Sequence, residues 1–259
     1  MDSRVNPDLS AFLRHWPYEP GEIKARKIRD AQGEEKLQMR VDLGVLQMEM
    51  RGRPDGQRPF GYESYCDYHQ ARLERYVEEH GDGSGFVLSP EECSQLRLES
   101  LQYYYRYLSL YALADYGGVC RDTEHNLALF DLVRTYADEE EDRFLLEQYR
   151  PYVIMMHTRA RAHLRLKDQE AHKALEDLIA GINRIQAFFE EMGQRSLSEE
   201  CEEVALLREM AEEILRAVPQ DPLGPLRDEM KAAVAREDYE RAAALRDEIR
   251  RLEASPHPK

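Results

Sequence analysis

The stretch that decides the fold runs from Ser89 to Gly118 and reads SPEECSQLRLESLQYYYRYLSLYALADYGG. It opens with a serine, a proline and, three positions after the serine, Glu92, which together are a strong signal for the start of a helix. Leucines and tyrosines then recur at intervals of three and four until the pair Gly117-Gly118. The pattern predicts one long amphipathic helix that ends at the two glycines. Its apolar face comprises Leu96, Leu98, Leu101, Tyr104, Leu108, Tyr111 and Leu113.

Helical periodicity continues on the C-terminal side of this stretch. Apolar residues at helical spacing, separated by short polar breaks, predict further helices over residues 123–136, 152–166, 174–189 and 196–218. The last begins with Ser196 and Glu199 at capping-box spacing and carries a narrow seam suited to a single partner helix. We therefore expect residues 62–218 to form an α-helical domain, built as a bundle or as stacked antiparallel pairs. The seam residues are Val204, Leu207, Ala211, Ile214 and Val218.

One part of the helical region resembles a tetratricopeptide-type helix pair. Residues 158–189, TRARAHLRLKDQEAHKALEDLIAGINRIQAFF, combine an alanine-rich first helix, a short polar turn and a second helix. Residues 103–136 would be a looser copy, but the spacing of about 34 residues that such repeats keep is not maintained. The resemblance implies a repeat-like packing of helix pairs, which usually offers a groove for partner segments.

Residues 1–61 show no helical periodicity and predict a small β-rich segment. Leu37, Met39 and Val41 alternate with polar residues, as in a half-buried strand, and the alternation changes phase beside Gly44. A β-bulge or a sharp bend would produce that change. The next stretch, RGRPDGQRPFG, holds a strong turn signal. Its Arg51, Arg53 and Arg58 predict either a solvated turn or an anion-binding loop.

Residues 219–259 predict a linker followed by a helical hairpin, PLGPLRDEMKAAVAREDYERAAALRDEIRRLEA over residues 222–254. Leu226, Met230 and Ala233 would line the first helix. The turn falls at residues 236–238, with Tyr239 at the tip. The small alanines let the two helices approach closely. The residues that we expect to bind a partner are Leu226, Met230, Tyr239, Ala242, Leu245, Arg246, Ile249 and Leu252.

This hairpin sequence, and above all EDYERAAALRDEI, closely resembles the UVR motif of the excision-repair proteins UvrB and UvrC and of bacterial stress-response proteins. The resemblance implies a protein–protein contact element that pairs with another hairpin or with a helical partner and has no catalytic residues. Residues 37–56, LQMRVDLGVLQMEMRGRPDG, also resemble uncharacterised bacterial proteins that end in a UVR motif. That second resemblance assigns no chemistry.

The formal net charge of −15 is unevenly placed along the chain. Residues 1–60 carry 11 basic and 10 acidic side chains, residues 220–259 carry 8 and 9, and residues 61–219 carry 17 and 32. The two ends are therefore nearly neutral, and contact with nucleic acid is unfavourable mainly at the helical middle. No apolar run is long enough to span a membrane, and no secretion signal is recognisable. Four scattered cysteines without a CxxC pair suit a reducing cytoplasm.

The sequence shows no convincing catalytic or metal constellation. His125 lies three residues after Asp122, but no matching second pair appears, so we expect neither a metal nor a cofactor. The phosphate-binding GxxxxGK[ST] motif is absent. The acidic run of residues 138–142 is typical of a solvated loop or a helix start. The tyrosines at positions 103, 104, 105, 107 and 111 predict core and rim packing, with a base-stacking surface as the alternative.

Three hypotheses about function follow. The first is a non-enzymatic cytoplasmic adaptor that docks another protein or a second copy through the UVR hairpin. The second is an accessory factor of DNA repair or of a stress response, in which the basic residues of positions 24–29 and 51–58 touch phosphates. The third, an unrecognised enzyme, has the least support.

Overall fold

A computed structural model describes residues 8–217, 224–236 and 238–253. The chain divides into two compact units, residues 1–212 and residues 213–259. None of the helices that the structure describes combines the length and the apolar content needed to cross a bilayer. The elements are α1 (Ser10–His15), β1 (Ala25–Arg29), β2 (Glu35–Val41), β3 (Gly44–Glu49), α2 (Tyr65–His80), α3 (Pro90–Ala112), α4 (Tyr116–Tyr136), α5 (Glu140–Leu145), α6 (Arg150–Lys167), α7 (Ala171–Glu191), α8 (Arg195–Glu200), α9 (Glu202–Ala217), α10 (Gly224–Ala235) and α11 (Tyr239–Glu253).

The predicted fold class is confirmed: the protein is mainly α-helical, with a small N-terminal sheet and a C-terminal helical hairpin. The three strands pair antiparallel in the order β1-β2-β3. Leu37 lies opposite Met48, and both side chains are buried. The alternation changes phase beside Gly44 because a two-residue turn joins β2 to β3 there. Of the two predicted alternatives, the sharp bend is therefore correct and the β-bulge is not.

The expectation that the first sixty residues contain no helix is wrong at α1. The rings of Phe12 and Trp16 lie 4.8 and 4.2 Å from the Arg26 guanidinium of β1. The Arg40 side chain of β2 also donates a hydrogen bond of 2.7 Å to the Trp16 carbonyl. A helix of six residues is too short to show periodicity, and cation–π contacts with the sheet stabilise it instead.

The long helix α3 ends at Ala112, before the predicted glycine stop. Ala114 adopts the left-handed φ of +55°, and Asp115 then caps α4 by accepting the Gly118 amide at 3.2 Å. Both glycines therefore lie in the first turn of α4, which starts seven residues earlier than predicted. A Cβ at Gly118 would lie 2.8 Å from the Leu110 side chain, so this glycine permits the close approach of α4 to α3.

The predicted pair of helices over residues 158–189 is present as α6 and α7. The break after Lys167 and the end before Gly193 are confirmed. The two helices touch where Gly181 meets Thr158, because a Cβ at Gly181 would lie 2.3 Å from the Thr158 hydroxyl. Helix α3 packs on α4, α4 on α6 and α6 on α7. The tetratricopeptide likeness stays a prediction.

The predicted single helix of residues 196–218 is wrong. It is split into α8 and α9 at Cys201, whose backbone is extended and whose side chain is buried. Ser196 lies inside α8 instead of capping it, because capping-box spacing is a local signal that packing overrides. Within α9 the seam residues Val204 and Leu207 are fully buried. Val218 and the side chain of Glu199 lie outside the described part of the chain.

Candidate functional site

The C-terminal hairpin is built from two short helices that pack on each other through small residues. Helix α10 ends at Ala235 and α11 begins at Tyr239, as the sequence predicted. At the turn, the Asp238 amide donates to the Ala233 carbonyl at 2.9 Å, and the Asp238 carboxylate accepts the Arg241 amide at 3.1 Å. Ala233 is fully buried, which lets the helices approach closely. Residue 237, predicted as part of this turn, lies outside the described residues.

The hairpin residues predicted to bind a partner differ in how far their side chains are exposed. Ala242, Leu245 and Ile249 are buried and form an apolar seam along α11. Tyr239 is 66% exposed and Leu252 is 40% exposed. The exposed group is the one that a partner can reach. Of the others, Leu226 and Met230 are half-buried and Arg246 is exposed.

Two features of the hairpin surface were missed at the sequence level. Val234 is 51% exposed, although its neighbour Ala233 is buried. The Arg241 guanidinium forms an ion pair of 2.6 Å with Glu229, which joins α11 to α10. Helical spacing marks both positions only after the phases of α10 and α11 are known, because an error of about two residues, half a helical turn, exchanges the exposed and buried faces.

Residues 222–255 match the UvrB/uvrC motif, abbreviated UVR. The resemblance drawn from the sequence is thereby confirmed. No curated protein and no solved structure matches the chain. UVR motifs occur in protein–protein interaction and DNA-repair contexts. We call α10 and α11 the UVR hairpin from here on.

The second predicted site, the arginine loop of residues 51–58, is not a cluster of free cations. Arg53 is buried and lies 3.3 Å from the Asp55 carboxylate and 3.5 Å from that of Glu99. Arg58 pairs with Glu63 at 2.7 Å. Arg51 is exposed and forms no ion pair with any described residue. Two of the three arginines are thus paired with carboxylates, and anion binding by this loop stays a prediction.

A buried arginine that sequence analysis did not single out holds the arginine loop on the helical body. Arg106 of α3 is fully buried and binds Asp122 of α4 through two hydrogen bonds of 2.7 and 2.8 Å. It also donates to the carbonyls of Glu49 and Gly52 at 3.0 and 2.7 Å. Gly52 has a φ of +63°, which a residue with a side chain rarely adopts. One guanidinium therefore joins α3, α4 and the end of β3.

Glu99 is a second buried charge with several partners. Its carboxylate accepts the backbone amides of Tyr65 and Cys66, at 2.7 and 3.0 Å, at the start of α2. A helix N-terminus stabilises a carboxylate in this position. His125 lies 3.3 Å away and stacks on the Tyr103 ring at 3.7 Å. These contacts anchor α2 and the arginine loop to α3, so the cluster is structural.

The same contacts involve Asp122 and His125, the two residues that the sequence analysis considered as possible metal ligands. Asp122 is occupied by Arg106, and His125 lies against Glu99 and Tyr103. Within the described ranges, no three His, Cys, Asp or Glu side chains converge as they would around a metal ion.

The four thiols and several of the buried tyrosines have environments that disfavour ionisation. Burial raises the pKa of all four cysteines, and the pKa of Cys120 is about 11. Burial also raises the pKa of Tyr152 to about 12. The predicted packing role of the tyrosine cluster is confirmed, since Tyr103 and Tyr107 are buried and the other three are half-buried. Such groups are poor nucleophiles and serve as neutral packing surfaces.

Proposed function

We propose that the protein is a non-enzymatic, cytoplasmic adaptor that docks a partner protein, or a second copy of itself, through the UVR hairpin. The observation that carries the proposal is the coincidence of the motif match with exposed side chains, Tyr239 and Leu252, on an otherwise well-packed hairpin. Exposed aromatic and aliphatic side chains of this kind are frequent anchors in interfaces.

The environment of the ionisable groups also supports a non-enzymatic role. Arg106 and Asp122 bind each other, and the Glu99 carboxylate binds the backbone at the start of α2. Burial also raises the pKa of thiols such as Cys66. A catalytic group needs access to a substrate and a pKa matched to its task.

The adaptor proposal is tested with full-length protein and three variants in quantitative pull-downs and sedimentation velocity. Deletion of residues 220–259 is expected to abolish partner capture or self-association. Tyr239→Ala with Leu252→Ala is expected to do the same while the helical content, measured by circular dichroism, stays unchanged. Ile179→Ala on α7, which also removes an exposed apolar side chain, is the matched control and should have no effect. If the deletion variant captures the same partners and has the same oligomeric state as the wild type, the proposal is wrong.

The alternative, an accessory factor with weak nucleic-acid contact, receives less support because the N-terminal cations are largely engaged. Lys27 pairs with Asp115 at 2.7 Å, and Lys24 pairs with Glu19. A double variant, Arg51→Ala with Arg58→Ala, leaves the buried Arg53 in place. If the alternative holds, the wild type binds single- or double-stranded DNA with an affinity that falls steeply with salt, and the variant loses that binding. No binding at low salt rejects the alternative.

A further inference from the structure

A second surface lies far from the arginine loop in sequence, within the unit of residues 1–212. It is a cleft of about 670 Å³ whose lining comes from α3, α4, α5, α6, residues 146–149 and Glu203. Leu98 and Leu101 of α3 are 59% and 45% exposed, and Tyr149 on the opposite wall is 54% exposed. Large side chains exposed on both walls of a concave surface are unusual in a protein without a ligand or partner. We call this cleft the α3–α6 groove.

The floor of the α3–α6 groove contains a polar atom without a partner. Asn126 of α4 is 2% exposed, and its amide nitrogen donates to the Ser100 carbonyl at 3.0 Å. Its amide oxygen has no hydrogen-bond partner among the described residues. Burying an unpaired acceptor is unfavourable by itself.

The walls determine which kind of occupant fits. On both sides, helical backbone presents side chains to the groove, and its amides and carbonyls are bonded within the helices. An extended peptide would find few backbone partners there and would bury unpaired amides and carbonyls. A helix satisfies its own backbone and offers apolar side chains at positions i, i+3, i+4 and i+7. The lining of α3, from Arg97 to Tyr107, spans about 15 Å, or nearly three turns of such a helix.

Charge around the groove determines the polar face of the occupant. Glu141 lies one helical turn before the lining residue Leu145, so it shares a face with the groove wall. Glu203 adds another carboxylate, against one cation at Arg97. The rim is therefore acidic, and basic residues on the occupant complement it.

We propose that the α3–α6 groove docks a basic amphipathic α-helix of a partner protein. The groove shares no residue with the UVR hairpin, so the inference does not rest on the adaptor proposal. With both surfaces in use, the protein connects two partners.

The test measures binding of a fluorescent peptide of about 18 residues to the full-length protein by anisotropy. The peptide carries leucine at positions i, i+3, i+4 and i+7 of a helix and lysine elsewhere. Leu98→Glu is expected to weaken binding at least about tenfold, because it places a charge in the apolar contact. Ile179→Glu makes the same change at a similarly exposed apolar position on α7 and should bind like the wild type. A scrambled peptide of the same composition should bind at least about tenfold more weakly.

A second variant protects the test against misfolding caused by Leu98→Glu. Glu141→Lys changes an exposed residue one helical turn from the lining residue Leu145, and should weaken binding of the basic peptide while it strengthens binding of a matched peptide with glutamate in place of lysine. Equal binding of the basic peptide by wild type and Leu98→Glu overturns the proposal. It is also overturned if only a small apolar dye such as anilinonaphthalene sulfonate binds the groove. Self-association that Leu98→Glu abolishes, in the absence of peptide binding, would instead identify a second copy as the occupant.

Discussion

The arginine loop and the UVR hairpin are stabilised in opposite ways. The loop is held by fully buried charges, with Arg106 and Asp122 at its centre. The hairpin is held by an apolar seam around Ala233 and Leu245, while its ion pairs lie at the surface. A buried ion pair is sensitive to the loss of either partner, whereas an exposed pair contributes little. The buried charges that hold the loop therefore tolerate little change, whereas the exposed surface of the hairpin is free to vary for a partner.

The largest effect is expected for Arg106→Ala. The change leaves the buried Asp122 carboxylate with only the partly exposed Arg121, at 2.9 Å, as a partner and also removes the donor to the carbonyls of Glu49 and Gly52. We expect the free energy of unfolding to fall by roughly 3–5 kcal/mol, measured by urea denaturation. A loss below about 1 kcal/mol would show that the pair is not a main stabilising contact.

The matched double variant Arg106→Met with Asp122→Leu separates charge from shape. Because no unpaired charge remains, part of the stability should return. Recovery should be incomplete, since the two backbone carbonyls stay without a donor. A double variant that is no more stable than Arg106→Ala would contradict the account of the buried charge.

An intermediate effect is expected from overpacking the hairpin seam. Ala242→Leu inserts a larger side chain where the helices meet and should destabilise the UVR hairpin by roughly 1–3 kcal/mol. Ala244→Leu, at an exposed position of the same helix, is the control and should change stability little. Hydrogen exchange of the α10 and α11 amides measures both variants. Equal protection in the two would mean that Ala242 does not lie at a tight contact.

A smaller effect, the dependence of stability on pH, distinguishes the UVR hairpin from the unit of residues 1–212, which we call the body. Burial lowers the pKa of His69, His157 and His163 below the usual 6.5. The unfolded chain therefore takes up protons before the folded body does, and stability is lost as the pH falls below 6.5. Unfolding midpoints between about pH 7.5 and 5.5 should fall for the body, in a window above the titration of ordinary carboxylates.

The UVR hairpin provides the internal control for this pH dependence, because its described residues include no histidine. Its amide protection should stay constant over the same pH range. Replacement of His157 by asparagine should reduce the pH dependence of the body. A body whose stability rises on acidification would have the opposite sign and would falsify the assignment.

The smallest effect is expected for Arg241→Ala. Its ion pair with Glu229 joins the two hairpin helices, but both side chains are largely exposed and compete with water and salt. The unfolding midpoint should not change measurably in physiological salt. A clear loss would place this pair among the main stabilising contacts of the hairpin and weaken the contrast with Arg106.

Much of the architecture could be predicted from local patterns. The serine-proline-glutamate start of α3, the break after Lys167 and the helix ends at Ala235 and Tyr239 all depend on neighbouring residues, and all are confirmed. The errors occur where distant contacts decide. Gly117-Gly118 resembles a helix stop, but Gly118 is needed for contact with Leu110. The break at Cys201 is likewise invisible to periodicity.

Of the candidate sites, the UVR hairpin was visible because its pattern is contiguous. The arginine loop was misjudged in part, since nothing local reveals that Arg53 faces Glu99 or that Arg106 supports the loop from another helix. The α3–α6 groove was not found at all. Its lining residues are spread over about a hundred positions, and helical spacing alone assigns Leu98 and Leu101 to the core.

Hydrophobic spacing, capping residues and turn signals act between near neighbours, and they were enough to predict the helical class, the β-rich start and the hairpin at the end. Which charges are buried, which glycines permit close packing and which apolar residues stay exposed became known only from the folded structure. Those properties depend on what lies opposite each side chain, and burial is a property of the folded chain, not of the local pattern.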